Sequence, residues 1–188
     1  MDNQTIVSTY FPRFLDTYLA FPAGIIRADF ARFLYMYLWG GLYVDLDYVC
    51  LNPMDDLISC ITRMGIPELP TNIYYKYHNG LLISLPGNSF WLKCAENAVN
   101  HFKLTQDTRV EHIAGPFRIQ ETIKTERPFF DALRPELVTP FDWFSFVPWG
   151  NPDESIIQLS RRIRNSSIND MRLVFPNAYA LTFWDHQW

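Results

Sequence analysis

Long apolar runs, cysteine and excess positive charge are all scarce in this 188-residue chain. No apolar run reaches the ~18 residues that a membrane-spanning helix needs, and the N-terminus lacks the basic and then apolar pattern of a signal peptide. Cys50, Cys60 and Cys94 have no metal-site spacing and cannot all pair with one another. We therefore expect a protein of a reducing compartment, and we predict a cytoplasmic one without a transmembrane segment.

The charge pattern argues against nucleic acid as a partner. The formal net charge is -4, and basic residues are dispersed except for Arg161, Arg162 and Arg164, which we interpret as the solvated face of a helix. No repeat, low-complexity segment or linker interrupts the chain. With 48% hydrophobic residues, the chain can bury a full core, so we predict one domain over residues 1–188.

The most informative stretch is residues 27–47, which read RADFARFLYMYLWGGLYVDLD. Asp29 and Arg32 stand three positions apart and share one face of a predicted helix. The opposite face can bury Phe30, Phe33, Leu34, Tyr37 and Leu38. Gly40 and Gly41 are expected to end this helix, because glycine adopts the left-handed conformation without steric cost.

Residues 42–47 then predict a short strand that leaves the glycine turn. On such a strand Asp45 and Asp47 would point the same way. Two carboxylates at a strand end can hold a hard divalent cation and leave coordination positions for water and phosphate oxygens. The same pair also suits a metal-dependent phosphoryl or nucleotidyl enzyme, or it is simply a solvated strand end.

The whole pattern resembles the DxD sugar-binding family of glycosyltransferases, which includes initiating mannosyltransferases, capsular polysaccharide transferases and clostridial toxin catalytic domains. Its elements are Asp-x-x-Arg, an aromatic and aliphatic helix, Gly-Gly-x-Tyr and Asp-x-Asp, and all occur here in order. The resemblance implies an α/β, GT-A-like nucleotide-diphospho-sugar transferase fold, with a mixed central sheet flanked by helices. It also implies metal-dependent transfer of a hexose-type sugar from a UDP- or GDP-sugar to an acceptor hydroxyl, with retention of configuration.

The resemblance also implies roles for individual residues. Asp29 and Arg32 would hydrogen-bond the donor sugar, and Arg32 would add fixed positive charge beside it. Asp45 would contact the ribose or sugar and reach Mn²⁺ (or Mg²⁺) through water, whereas Asp47 would bind the metal directly. Tyr43 would lie close to the nucleotide. The plainer alternatives are an i,i+3 surface ion pair for Asp29 and Arg32 and a buried β-former for Tyr43.

A second block, NGLLISLPGNSFW at residues 79–91, resembles the same family. Asn79 would face the donor sugar near its anomeric carbon, or it is a turn residue that tolerates a left-handed backbone. A strand over residues 81–85 and a helix over residues 89–101 are predicted to follow. His78 is expected to cap or pack rather than to bind metal.

Less of the C-terminus resembles the family. Residues 178–188 predict an apolar strand, and His186 is the favoured third metal ligand beside Asp45 and Asp47, with Asp185 as the alternative. Trp188 would stack on the nucleotide or donor, or simply pack. The position where the family carries a histidine aligns with Thr182.

The front of the chain departs from the family. Residues 1–23 are too short and too proline-interrupted for the strand, helix and strand that normally bind the base, so these strands are predicted to be reduced or missing. The missing unit would belong to an absent N-terminal segment or a partner chain, or the base pocket is reduced. Expected partners are a nucleoside diphosphate sugar donor and a glycan, lipid or protein acceptor. A non-catalytic sugar-binding or assembly module is the alternative function.

Overall fold

A computed structural model of the chain describes residues 2–71, 74–141 and 153–184. The helices in these ranges are α1 Asn3–Tyr10, α2 Leu15–Ala20, α3 Gly24–Leu38, α4 Asp55–Ser59, α5 Ser89–Thr105, α6 Val110–Ile113, α7 Pro116–Glu126, α8 Pro135–Val138, α9 Glu154–Arg164 and α10 Ile168–Val174, with a 3₁₀ turn at Pro12–Phe14. The strands are β1 Gly41–Val44, β2 Tyr48–Cys50, β3 Met64–Pro67, β4 Leu81–Ser84, β5 Asp131–Leu133 and β6 Ala180–Thr182. Within the described residues, no helix is both long and apolar enough to cross a membrane.

The strands form two sheets. Four of them lie in the order β1-β4-β3-β5, where β4 is antiparallel to both neighbours and β3 is parallel to β5. The other two, β2 and β6, pair antiparallel in a separate sheet. The larger sheet is mixed and helices pack on it, so the predicted α/β class with a mixed sheet flanked by helices is confirmed.

The main core lies between the larger sheet and α3, α5 and α7. Phe33 of α3 stacks on Trp91 of α5, with ring centroids 6.3 Å apart. The Trp91 indole donates a hydrogen bond of 2.8 Å to Ser84 Oγ, so a large buried ring also satisfies its polar edge. This packing fixes α3 against β4, and thereby sets where the polar face of α3 lies.

The glycine pair ends α3 as predicted. Gly40 and Gly41 have φ values of +59° and +80°, which are strained for residues with a side chain. At Gly40, an added Cβ would also lie 2.5 Å from both the Ser84 carbonyl oxygen and the Pro86 nitrogen. The close approach of two backbones therefore requires glycine at this position.

The predicted strand over residues 42–47 is wrong in its second half. β1 ends at Val44, the chain turns, and β2 begins in the other sheet at Tyr48. The Tyr48 N–H donates a 3.2 Å hydrogen bond to the Asp45 carbonyl, which closes the turn. Asp45 and Asp47 therefore lie on a turn between two sheets and not on one face of a single strand.

The other predicted elements fall close to their places. The strand over residues 81–85 is β4, the helix over residues 89–101 extends to Thr105 as α5, and the predicted basic face lies on α9, where Arg161, Arg162 and Arg164 are exposed. Residues 2–23 contain α1, the 3₁₀ turn and α2, and no strand. The predicted strand over residues 178–188 is shorter, because β6 covers only Ala180–Thr182, and residues 185–188 lie outside the described part.

Candidate active site

The turn that carries Asp45 and Asp47 forms one wall of a cleft with a volume of about 140 Å³. The cleft is also lined by residues of α3, of the segment before β4 and of the end of β6, namely Asp29, Arg32, His78, Asn79, Thr182 and Trp184. Five of the predicted site residues thus meet in one place, although they come from three separate parts of the chain. They are Asp29, Arg32, Asp45, Asp47 and Asn79.

Arg32 connects two of the carboxylates. Its Nη2 lies 2.9 Å from Asp29 Oδ1 and 3.0 Å from Asp45 Oδ1. Its Nη1 donates a hydrogen bond to the Asn79 carbonyl oxygen. Asp29 and Arg32 are only 6% and 4% exposed, so they are not the ordinary surface pair that their spacing also allowed.

Tyr43 of β1 supports this network from beside the cleft. Its hydroxyl donates a 2.7 Å hydrogen bond to Asp45 Oδ1, and its ring lies 4.3 Å from the Arg32 guanidinium in a cation-π contact. Burial raises the pKa of the Tyr43 hydroxyl, which stays protonated and donates. The observed contacts of Tyr43 are with Arg32 and Asp45, and Tyr43 is not among the residues that line the cleft.

Burial also changes the electrostatics of Asp29. It raises the pKa of this carboxyl from 3.8 to about 6, although the neighbouring Arg32 charge and a hydrogen bond from Asn79 lower it. Burial therefore disfavours the charged form of Asp29, and the Arg32 guanidinium stabilises it. Such a perturbed carboxyl in a cleft is typical of functional sites.

Asp47 is held by a residue far along the chain. The Thr182 hydroxyl donates a 3.2 Å hydrogen bond to Asp47 Oδ2 and accepts one of 3.0 Å from the Trp184 backbone N–H. Thr182 faces Tyr48 in the β2–β6 pairing. Sequence reasoning placed Thr182 at the family's histidine position but did not identify it as a partner of Asp47.

The acidic turn could supply some of the oxygen ligands that a divalent cation needs. Mg²⁺ and similar ions bind through one or two carboxylates and complete their shell with water and substrate phosphates, and Asp45 and Asp47 both line the cleft. Among residues 2–71, 74–141 and 153–184, no cluster of three His, Cys, Asp or Glu side chains could hold a metal. The predicted ligand His186, its alternative Asp185 and the stacking residue Trp188 lie outside the described residues.

Two further residues at the cleft were missed as functional candidates. Tyr48 was not considered, because the predicted strand ended at Asp47 and the start of β2 at Tyr48 was not foreseen. His78 was expected only to cap or to pack. The Gly80 N–H does donate a 3.1 Å hydrogen bond to His78 Nδ1, and the imidazole lies edge-on to the Trp184 ring, with centroids 5.4 Å apart. The one sequence signal that could have indicated them is their position, because Tyr48 directly follows the Asp-x-Asp motif and His78 directly precedes the block that begins at Asn79.

Comparison with known proteins connects this geometry to a family. Residues 1–62 match the family model described as "Glycosyltransferase sugar-binding region containing DXD motif". Inositol phosphoceramide mannosyltransferase 1 of Schizosaccharomyces pombe is 32% identical over 105 residues, which are 55% of this chain and 32% of that protein. The initiation-specific alpha-1,6-mannosyltransferase of Candida albicans is 42% identical over 48 residues, which are 26% of this chain and 12% of that protein.

The aligned parts thus span about a third or less of these curated relatives. Among solved structures, the PaToxG glycosyltransferase is 16% identical, with a TM-score of 0.46, over 89% of this chain and 53% of that one. The matched region includes the helix α3, both glycines and the acidic turn. The match of residues 1–62 to this sugar-binding region with its DXD motif confirms the resemblance that the sequence indicated.

Proposed function

We propose that this chain transfers a hexose-type sugar, with mannose as the first candidate, from a nucleoside diphosphate sugar to an acceptor hydroxyl. One observation carries the proposal, namely that buried Arg32 holds the carboxylates of Asp29 and Asp45 in a cleft that Asp47 also lines. Carboxylates accept hydrogen bonds from sugar hydroxyls and bind hard cations. Mannose comes first because both relatives named above are described as mannosyltransferases.

In this proposal each residue has a role at the donor. Asp45 and Asp47 hold Mn²⁺ or Mg²⁺, and Asp29 accepts a hydrogen bond from a sugar hydroxyl. Arg32 keeps Asp45 in place and adds fixed positive charge beside the departing diphosphate. A bound divalent cation supplies Lewis-acid stabilisation of the charge that develops on the diphosphate. Retention of configuration and a GT-A-like fold belong to the same proposal and rest on the family likeness.

The acceptor is proposed to be a glycan, lipid or protein hydroxyl. Inositol phosphoceramide is the first lipid to test, because it appears in the name of a matched relative. The base-binding part of the site is proposed to come from a preceding segment or a partner chain, since residues 2–23 are helical. Cytoplasmic localisation stays a prediction from cysteine use.

The experiment is a donor panel of GDP-mannose and UDP-sugars, with and without Mn²⁺, in which release of nucleoside diphosphate is measured. We expect Mn²⁺-dependent release from one donor and a loss of about 100-fold or more in Asp47→Ala. Asp56→Ala is the matched control, because Asp56 is an exposed aspartate on α4 and its loss should leave the rate unchanged. Equal rates in the Asp47→Ala variant and the wild type would contradict the proposal, and turnover of nucleoside triphosphates instead would favour a nucleotidyl enzyme.

A further inference from the structure

Three buried polar atoms in the described residues have no hydrogen-bond partner, and all belong to residues that line the same cleft. They are Arg32 Nε, the Tyr48 hydroxyl and His78 Nε2. Buried polar groups without partners are uncommon and destabilise a fold, so each needs an explanation. Their concentration in one cleft points to a ligand that supplies the partners.

The hydrogen bond at Nδ1 decides what His78 can offer to that ligand. Because Nδ1 accepts from the Gly80 N–H at 3.1 Å, the neutral ring carries its proton on Nε2 and can donate it. His78 is only 2% exposed, and burial together with the Arg32 charge lowers its pKa to about 3. His78 is therefore a neutral donor with a fixed tautomer.

Tyr48 offers a second neutral donor beside the acidic turn. Its hydroxyl is buried without a hydrogen-bond partner, and a phenol carries its proton at neutral pH. The Tyr48 ring, the His78 ring and the Asp45 carboxylate converge on Gly80, where an added Cβ would lie 3.3, 3.4 and 3.0 Å from them. A side chain at this position would force these three groups apart by a few tenths of an ångström.

The pattern of donors and acceptors indicates the class of ligand group. Asp29 and Asp45 provide carboxylate acceptors, while Tyr48 and His78 provide neutral donors without partners. A hydroxyl group both donates and accepts, so it satisfies such a mixed wall. A phosphate is less favourable here, because the two carboxylates repel it and the Arg32 guanidinium beside them is already paired with both. We propose that Tyr48 and His78 bind the glycosyl group of the donor, each by donating a hydrogen bond to one of its hydroxyl oxygens. This inference rests on the proposed function.

Tyr48→Phe tests the first of these contacts, since it removes only the unpartnered oxygen. Calorimetric titration of the purified chain, with Mn²⁺, compares GDP-mannose with GDP, or UDP-glucose with UDP if that is the donor the wild type binds. We expect the affinity for the nucleotide sugar to fall about 3- to 10-fold, while the affinity for the nucleotide alone and the urea midpoint of unfolding do not fall. Tyr10→Phe is the control, because Tyr10 is 49% exposed and outside the cleft.

Two His78 variants separate the proposed hydrogen bond from Nε2 to the ligand from the bond that Nδ1 accepts from the Gly80 N–H. His78→Asn keeps an oxygen for the Gly80 N–H but lacks a donor at the Nε2 position. His78→Gln places an amide N–H near Nε2 but gives up the Gly80 contact. We expect the nucleotide-sugar affinity of His78→Asn to fall about 3- to 10-fold and that of His78→Gln to be kept. This difference in affinity should hold whichever variant has the higher urea midpoint of unfolding.

The possible failures are distinguishable. If the wild type binds the nucleotide sugar and Tyr48→Phe and His78→Asn bind it equally well, the inference is overturned and the proposed function stands. An equal loss for the nucleotide and the nucleotide sugar would place the two side chains at the diphosphate or base and overturn the glycosyl assignment. If the wild type binds no nucleotide sugar, both the proposed function and this inference fail.

Discussion

The two faces of α3 differ in how well their buried groups are satisfied by the rest of the fold. On one face Phe30 and Phe33 have no exposed surface, and the Phe30 ring meets the Phe14 and Phe21 rings edge-on at 5.7 and 5.4 Å. On the other face Asp29 and Arg32 are almost as deeply buried but border a cleft with unpartnered polar atoms. One helix therefore joins a well-satisfied core to a polar wall that is incompletely satisfied.

The two faces contribute differently to stability. Burying a phenylalanine stabilises the folded state by roughly 1.5–3 kcal/mol. A buried ion pair gains little after desolvation, and the raised pKa of Asp29 indicates that the fold disfavours its charge. The difference teaches that the apolar face offsets the cost of the polar face, which in our proposal is retained for a ligand.

Phe30→Ala breaks the apolar side of this comparison. We expect the free energy of unfolding, measured by urea denaturation, to fall by about 3–5 kcal/mol, because a cavity forms among packed rings. Phe129→Ala is the control, since Phe129 is 68% exposed and should change stability by less than about 0.5 kcal/mol. Nucleotide-sugar affinity of the folded variant should persist, and a parallel loss of affinity would show that the two faces are not separable.

Arg32→Met breaks the polar side. Its removal leaves Asp29 and Asp45 without their cation, so we expect a loss of about 3 kcal/mol in unfolding free energy at neutral pH and no donor binding. Arg13→Met is a close match, because Arg13 also pairs with a carboxylate, Glu96, and lies over a ring, but its side chain is 58% exposed. Its loss should cost less than about 1 kcal/mol. Equal effects of the two substitutions would refute the distinction.

The pH dependence of stability sharpens the comparison further. Because the pKa of Asp29 rises from 3.8 to about 6 on folding, the folded state binds this proton more tightly. The stability that Asp29 contributes is therefore full below about pH 4 and is lost as pH rises through about 6, by on the order of 2–3 kcal/mol. The measurement is urea unfolding of metal-free wild type against Asp29→Asn from about pH 4 to about pH 7. A constant difference between the two proteins would contradict the assignment.

Thr182→Val has the smallest expected effect. It removes the hydroxyl that donates to Asp47 while it keeps the side-chain shape, so unfolding free energy should fall by about 1 kcal/mol. Thr182→Ser keeps the hydroxyl and should recover most of the Asp47 contact. We expect a modest weakening of Mn²⁺-dependent donor binding, measured by titration, in the valine variant alone. Equal binding by both variants would contradict a role of the Thr182 hydroxyl in donor binding.

Local sequence signals were enough to predict part of the structure. The apolar spacing of α3 and its glycine stop depend on neighbouring residues, so both were predictable, as was the shared face of Asp29 and Arg32. The boundary at Val44 was not, because the β-forming pattern continues while the chain crosses to the other sheet. That crossing depends on the pairing of β2 with β6, which no local pattern reveals.

The site was predictable to a similar extent. Asp29, Arg32, Asp45 and Asp47 came from one motif, and Asn79 came from a second block that resembles the same family. Tyr48 and His78 need tertiary information, because their significance lies in buried atoms without partners. A sequence gives residue types and spacing but not which polar groups remain unsatisfied after folding.

The contact between Asp47 and Thr182 joins positions separated by 135 residues. During synthesis the acidic turn leaves the ribosome long before β6 exists, and closure of so long a loop is a slow step in folding. The helix, its glycine stop and both carboxylates can therefore be in place while Asp47 still lacks this partner. Full support of the acidic turn then coincides with the arrival of β6, so the donor binding that we propose would be a late marker of a correctly completed fold.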